Sequence, residues 1–271
     1  MDSLLHLCGV VFDVVLAPLG HDRPEFDMLA WPVIAGVVAL LVYKRVSNQK
    51  GIARAKNRIQ VHLLEVVLYR DDLFAVLVAT AKALGQNFLY LAYNIVPMLV
   101  MFAPITLVLV QLVAHYAYRP LEPGEPVLVQ VELADSARSR AREIQLELPD
   151  GVTLDAPPVR TTDGRAAYRV VATEGDHVLR FTLGGEVQDK ALAVGGENRK
   201  VPVLRGHGLD AVLYPGERAL PSDSAFQTIK VSWEERGLGP FPSGEAGILV
   251  WFFVFSLAAG FLLKDRFGVT L

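Results

Sequence analysis

Three runs without a single charged residue decide most of what this chain can fold into: Met28 to Tyr43 (MLAWPVIAGVVALLVY), Ile95 to Val113 (IVPMLVMFAPITLVLVQLV) and Ala246 to Leu263 (AGILVWFFVFSLAAGFLL). A helix crosses the hydrocarbon core of a bilayer with ~17–25 apolar residues, and the three runs, of 16, 19 and 18 residues, bracket the lower part of that range. Transmembrane helices are therefore expected over 28–43, 95–113 and 246–263. The first is the shortest. At ~1.5 Å rise per residue it spans the core only if it extends through Phe26. The chain is 52% hydrophobic, above the ~45–50% of soluble domains, and the excess sits in these runs. The stretch between the second and third runs is long enough for one domain with a core of its own. The single cysteine, Cys8, cannot form an intramolecular disulfide, which excludes a disulfide-stapled scaffold.

Charge sets the expected orientation. The net charge is -3, yet Lys44, Arg45, Lys50, Arg54, Lys56 and Arg58 follow the first run with no acid among them, and Lys264 and Arg266 follow the third. Lysine and arginine near span ends mark the cytoplasmic side. Residues 1–27 carry Asp2, Asp13, Asp22, Glu25 and Asp27 against Arg23 alone, and acids outnumber bases over 119–245. Three spans with the amino terminus outside and the carboxyl terminus inside, in a cytoplasmic (inner) membrane, fit both counts. The basic run would attract anionic lipid at ~1 kcal/mol per charge. Its position against a span argues against nucleic acid as a specific ligand.

Asp2, His6, Gly9 and Asp13 draw one polar stripe along an otherwise apolar stretch, so 1–27 reads as an outer interfacial helix. Residues 44–94 read as a basic helical hairpin. A first helix runs from about Gln49 to Tyr69, and Asp71 and Asp72 turn the chain and cap LFAVLVATAKAL. Gln86, Asn87, Tyr90, Tyr93 and Asn94 then lead into the second span. Within that span Pro97 lies in the first turn, and Pro104 is expected to kink the helix. Thr106 and Gln111 in the second span and Ser256 in the third are polar, with hydroxyls expected to bond back to their own helix and Gln111 to snorkel at the outer end.

From Pro126 the apolar period changes to two. VLVQVEL (127–133), EIQLEL (143–148), AAYRVVA (166–172), HVLRFTL (177–183), EVQDKALAV (186–194) and FQTIKVSW (226–233) alternate, and Gly184–Gly185 signals a two-residue hairpin. The expected domain, 119–240, is an antiparallel β-sandwich, immunoglobulin-like in general form. The fold class is thus an α+β integral membrane protein: three transmembrane helices, a cytoplasmic hairpin, an extracytoplasmic sandwich and a short inner tail, 264–271.

Catalytic arrangements are missing from the sequence. It has no Gly-x-Ser-x-Gly elbow, no phosphate loop and no cysteine pair. His62 and Glu65 are three apart on a helix, but two ligands do not make a metal site. Gly206, His207, Gly208 and Asp210 read as a turn between strands. No enzyme activity, cofactor or metal is expected.

The order of elements resembles the three-span branch of the Oxa/YidC insertase superfamily, which includes archaeal YidC-like proteins and the insertase subunit of the endoplasmic reticulum membrane complex. SNQKGIARAKNRIQVHLLEVVLYRDD (47–72) followed by YNIVPMLVMFAPITLVLVQL (93–112) carries the likeness of layout, over about a quarter of the chain. The resemblance implies a hairpin that receives a nascent hydrophobic segment and a polar groove that eases short polar tails across a locally thinned bilayer. Gln86, Asn87, Tyr90 and Asn94 would stand at the groove's mouth and Thr106 and Ser256 deeper. Nascent membrane proteins or the ribosome are the implied partners, with a homo- or hetero-oligomer completing the groove. Two departures stand beside the likeness: no span carries the cationic groove residue of bacterial relatives, and a whole β-domain replaces a short outer loop. The alternative expectation is a membrane-anchored extracytoplasmic binding or assembly module, a non-catalytic subunit of a membrane complex.

Overall fold

The structure is a computed structural model and describes residues 24–196, 199–237 and 239–269. The expected interfacial helix over 1–27 lies almost wholly outside the described residues. The chain is α+β, with three long apolar helices and antiparallel sheets. Its described residues form two compact units, one within 29–108 and 252–269 and one within 24–28 and 109–251.

The helical unit is made of α1 (Pro24–Val46) from Leu29, α2 (Gln49–Leu68), α3 (Leu73–Tyr116) as far as Val108, and α5 (Gly244–Phe267) from Phe252, the last reached after the β-rich stretch. α1 from Met28, α3 and α5 are each long and apolar enough to cross a membrane, and they mark a membrane protein. Asn48 caps α2 by accepting the Gly51 amide at 2.9 Å. The turn expected at Asp71 and Asp72 is present: Asp72 Oδ1 accepts the Ala75 amide at 3.1 Å, satisfying a donor at the start of α3. Where a short helix and a separate span were expected, α3 runs unbroken for 44 residues through Gln86–Asn94, Pro97 and Pro104. Leu, Ala, Val and Met dominate that passage and keep helix propensity high across the polar positions. Small residues, Ala55 on α2 and Ala79 and Ala83 on α3, occupy buried positions, so hairpin helices can lie close.

Four helices converge on one cluster. Leu40 and Tyr43 of α1, Ile52 of α2 and Val269 are buried together, with Tyr90, Tyr93 and Met101 of α3 and Leu263 and Phe267 of α5 packed around them. Elsewhere in this unit α1 and α5 approach at Gly36, where an added Cβ would lie 2.4 Å from the Ser256 carbonyl oxygen.

The second unit holds two antiparallel sheets. One has the order β3 (Val152–Leu154), β5 (Arg165–Ala172), β1 (Pro126–Leu133), β9 (Phe226–Val231), β8 (Leu204–Arg205), with β4 (Val159–Arg160) also on β5. The other is β2 (Gln145–Glu147), β6 (Gly175–Leu183), β7 (Glu186–Val194). Gly184 and Gly185 have φ of 56° and 91° and close the β6–β7 hairpin, pairing Leu183 with Glu186; two successive positive φ values give the turn the twist a hairpin needs. The strand expected from 143 is preceded by a 3₁₀ helix (Asp135–Glu143), and the expected turn at 206–210 leads into a short helix, α4 (Leu209–Leu213).

Both sheets feed one core. Val129, Val131, Tyr168, Val170, Ile229 and Val231 from the larger sheet are buried with Leu179, Phe181, Leu183 and Leu192 from the smaller, and Tyr168 meets Phe181 edge-on at 5.6 Å. Lys190 on β7 is 0% exposed. Its ammonium donates to the Pro202 carbonyl at 2.7 Å and pairs with Glu217, as a buried charge must. The free edge of β7 is closed by side chains: Glu217 accepts the Ala191 amide and Arg205 donates to the Asp189 carbonyl. An edge so occupied is closed to strand addition.

Candidate functional site

The six polar candidates fall in several places. Asn94 is central to the four-helix cluster: it accepts the Tyr43 hydroxyl and donates to the Tyr90 carbonyl at 2.7 Å. Tyr90 packs against Leu40, Tyr43, Ile52 and Val269, so Tyr90 and Asn94 are brought together. Gln86 lies a turn and more away, in an open cleft of about 510 Å³ lined by Arg58, Val61 and His62 of α2 and Lys82 and Gly85 of α3. Its Oε1 is buried without a hydrogen-bond partner. Asn87 is exposed, and Thr106 is half-buried two residues beyond Pro104. Ser256 sits beside Gly36, its backbone at the helix crossing and its hydroxyl bonded back to the Phe253 carbonyl at 3.4 Å.

The basic run is divided too. Lys44 donates to the Phe267 carbonyl at 2.6 Å, joining the carboxyl ends of α1 and α5, a favoured place for a cation. Arg54 bonds back to the Lys50 carbonyl at 3.2 Å. Arg45, Lys50, Lys56 and Arg58 are exposed. His62 and Glu65 do meet, at 2.9 Å, and among the described residues no third His, Cys, Asp or Glu joins them.

Polarity pointed past a second feature of the hairpin, which is apolar. At its tip Leu64 is 67% exposed and Phe74 76%. Leu68, Leu73 and Leu77 are exposed alongside them, and Val61, Leu64, Val67 and Leu68 with Glu65 line a shallow groove of about 390 Å³. An exposed apolar surface of this kind is a candidate contact surface. The signal was present in the sequence as LLEVVL followed by LFAVLV, more apolar residues than one buried stripe can use.

The second unit, which by itself includes the last turns of α3 and the first turns of α5, builds a different kind of site. Tyr118 and Tyr214 both donate to Oε1 of Glu245, at 2.7 and 3.1 Å, which fixes the first turn of α5. Burial, then the bonded Glu245 carboxylate, pushes the Tyr214 phenol up to about 12 and raises that of Tyr118 further. Lys200 donates to Gln111 at 3.3 Å and the Val201 amide to the Ala114 carbonyl at 3.4 Å, fixing the last turns of α3. Gln111 is buried, not snorkelling. No protein family, curated protein or solved structure matches this chain.

Proposed function

We propose that this chain is an insertase-like factor of membrane-protein biogenesis, similar in design to the three-span Oxa/YidC proteins, which takes up hydrophobic segments on its cytoplasmic hairpin and passes them along α3 into the bilayer. One observation carries the reading: the uncovered apolar tip of α2 and α3, on a helix that continues without a break into an apolar span. Each Leu or Phe covered by a client contributes ~1.5–3 kcal/mol, enough for several side chains to hold a nascent segment reversibly. The exposed basic residues at the start of α2 stand at the cytoplasmic face, with the amino terminus outside, as the positive-inside rule requires. Hydrating part of a client's path matters because a charge at the bilayer centre costs at least ~2.5–3.5 kcal/mol; Gln86, Asn87, Tyr90, Asn94, Thr106 and Ser256 are the polar positions available for it, with Pro104 as the bend beside them. The extracytoplasmic domain is a β-sandwich of immunoglobulin-like form, and a second copy or another subunit completes the groove.

Photo-crosslinkers at Leu64, Asn94, Thr106 and Ser256, with Arg180 on β6 as contrast, test this during translation of a short-tailed membrane protein in inner-membrane vesicles. Crosslinks to the nascent chain from the hairpin and span positions are expected. Capture of a partner at Arg180 alone would replace the reading with that of a membrane-anchored binding module.

A further inference from the structure

α4 displays two leucines to solvent. Leu209 is 79% exposed and Leu213 44%, and at a spacing of four they share one face. Isolated exposed leucines are ordinary; their position is what distinguishes these. The next residue, Tyr214, donates its hydroxyl to Glu245 at 3.1 Å, and Glu245 is the second residue of α5, the helix that reads as the third span. Tyr118, just past the end of α3, bonds the same carboxylate oxygen. Two tyrosines on the first turn of a span are where an aromatic belt places them, at the headgroup level. The Cα of Leu213 is about 3.8 Å from that of Tyr214, while the headgroup zone is on the order of 5–7 Å deep on each side of the core.

The loop holding α4 is fixed. Gly206 accepts the Leu220 amide at 2.9 Å, closing 206–220 at its base, and Asp210 accepts the Tyr214 amide at 2.9 Å. Gly208, with φ of +63°, turns the chain into the helix. An added Cβ at Gly206 would lie 2.8 Å from that of Asp210, so the turn is tight.

We infer that α4 is a membrane-resting foot: Leu209 and Leu213 enter the headgroup and acyl boundary of the leaflet at the amino-terminal end of α5, with Tyr214 and Tyr118 at the level of the headgroups. The occupant is lipid, because Leu213 adjoins Tyr214, whose side chain is bonded to the span's first turn, and Leu209 shares its face; an apolar face at that depth meets acyl chains. This goes beyond the hairpin reading and is independent of it; it rests on α5 crossing the bilayer.

The test uses the full-length chain in lipid nanodiscs with Cys8→Ser and a nitroxide label at Leu209→Cys, Leu213→Cys or, as contrast, Val187→Cys on β7. Accessibility to oxygen and to a water-soluble nickel complex is read at each. The foot predicts an oxygen-to-nickel ratio several-fold higher at 209 and 213 than at 187. Equal ratios at all three positions would overturn it, as would labels at 209 and 213 shielded from both reagents, the sign of a protein partner. A label at Leu262, exposed on α5, reports whether α5 itself is in lipid. A lipid signal at 262 with an aqueous one at 209 and 213 therefore rejects the foot alone.

Discussion

The hydroxyl of Tyr43 donates to Oδ1 of Asn94, so a residue at the end of an apolar run in α1 is bonded to the middle of α3. Its neighbours Leu40, Ile52 and Val269 are buried and apolar, and a phenol left without a partner there is costly. Tyr43→Phe, which removes the donor, should cost about 1 kcal/mol, and Asn94→Leu, which strands it, about 1–3 kcal/mol. Thermal unfolding in nanodiscs gives the order of the two; a larger loss from Tyr43→Phe would contradict this account of the bond.

Gly36 and Ser256 make an unequal pair. A Cβ at 36 meets a backbone oxygen at 2.4 Å, so Gly36→Val must drive α1 and α5 apart, at about 2 kcal/mol or more. The Ser256 hydroxyl bonds back to its own helix, and Ser256→Ala should stay within about 0.5 kcal/mol. Equal melting temperatures for wild type and Gly36→Val would mean that the two helices do not cross there.

Lys190 depends on Glu217. Burial lowers the lysine's pKa, opposed by the carboxylate beside it. Glu217→Ala should cost about 3–5 kcal/mol by leaving a buried charge alone, whereas the double variant Lys190→Met, Glu217→Leu, which removes both charges, should cost less. The sign with pH follows. A lysine whose folded pKa lies below its unfolded value of ~10.4 binds more protons when unfolded, so stability rises with pH toward that value. The deficit of Glu217→Ala should therefore shrink as pH is raised toward ~10; urea unfolding at pH 7 and 10 reads it directly, and an unchanged deficit speaks against a buried ammonium.

Acid should act through Glu125 and Glu186. Burial pushes both carboxyls up, but for Glu125 the Glu122 amide and the Arg119 guanidinium outweigh it. For Glu186 Ser224, the Ala225 amide and Gln188 do so. Both end below the ordinary glutamate value of 4.5. Their stabilisation is present above that value and is lost as pH falls through the lower folded values. The double variant Glu125→Gln, Glu186→Gln should be less stable at pH 7 and show a shallower loss below pH ~4; an acid limb as steep as wild type would place the titrating groups elsewhere.

What could be read in the sequence was whatever a local rule decides. Alternation in VLVQVEL became β1 with its valines buried, Asp72 became a cap, and Gly184–Gly185 became a hairpin. Long-range choices were illegible. In β7 the buried face carries Gln188 and Lys190 while Val187 is exposed; Glu217 and Pro202, from later in the chain, partner Lys190, and Gln188 donates to Glu186. The short strands β4 and β8 exist because β5 and β9 offer them partners. The polar stretch Gln86–Asn94 looked like a break between helices, yet Asn94 spends its amide on the Tyr90 carbonyl and on Tyr43, leaving the helix intact. Reasoning from polarity singled out Asn94 and Gln86 and passed over Gly36, which close approach sets apart, and the tip at Leu64 and Phe74, which lack of cover sets apart.

The central claim is that the hairpin tip hands hydrophobic segments to the membrane, and reconstituted insertion tests it most directly. Proteoliposomes containing the wild-type chain, the Leu64→Glu, Phe74→Glu variant or no protein are supplied with a short-tailed membrane protein during its synthesis, and protease-protected product is measured. Both substituted side chains are exposed, so the variant should melt like wild type. The account predicts integration well above empty liposomes for the wild type and a several-fold loss for the variant. Integration no greater than in empty liposomes, or equal for wild type and variant, would contradict it.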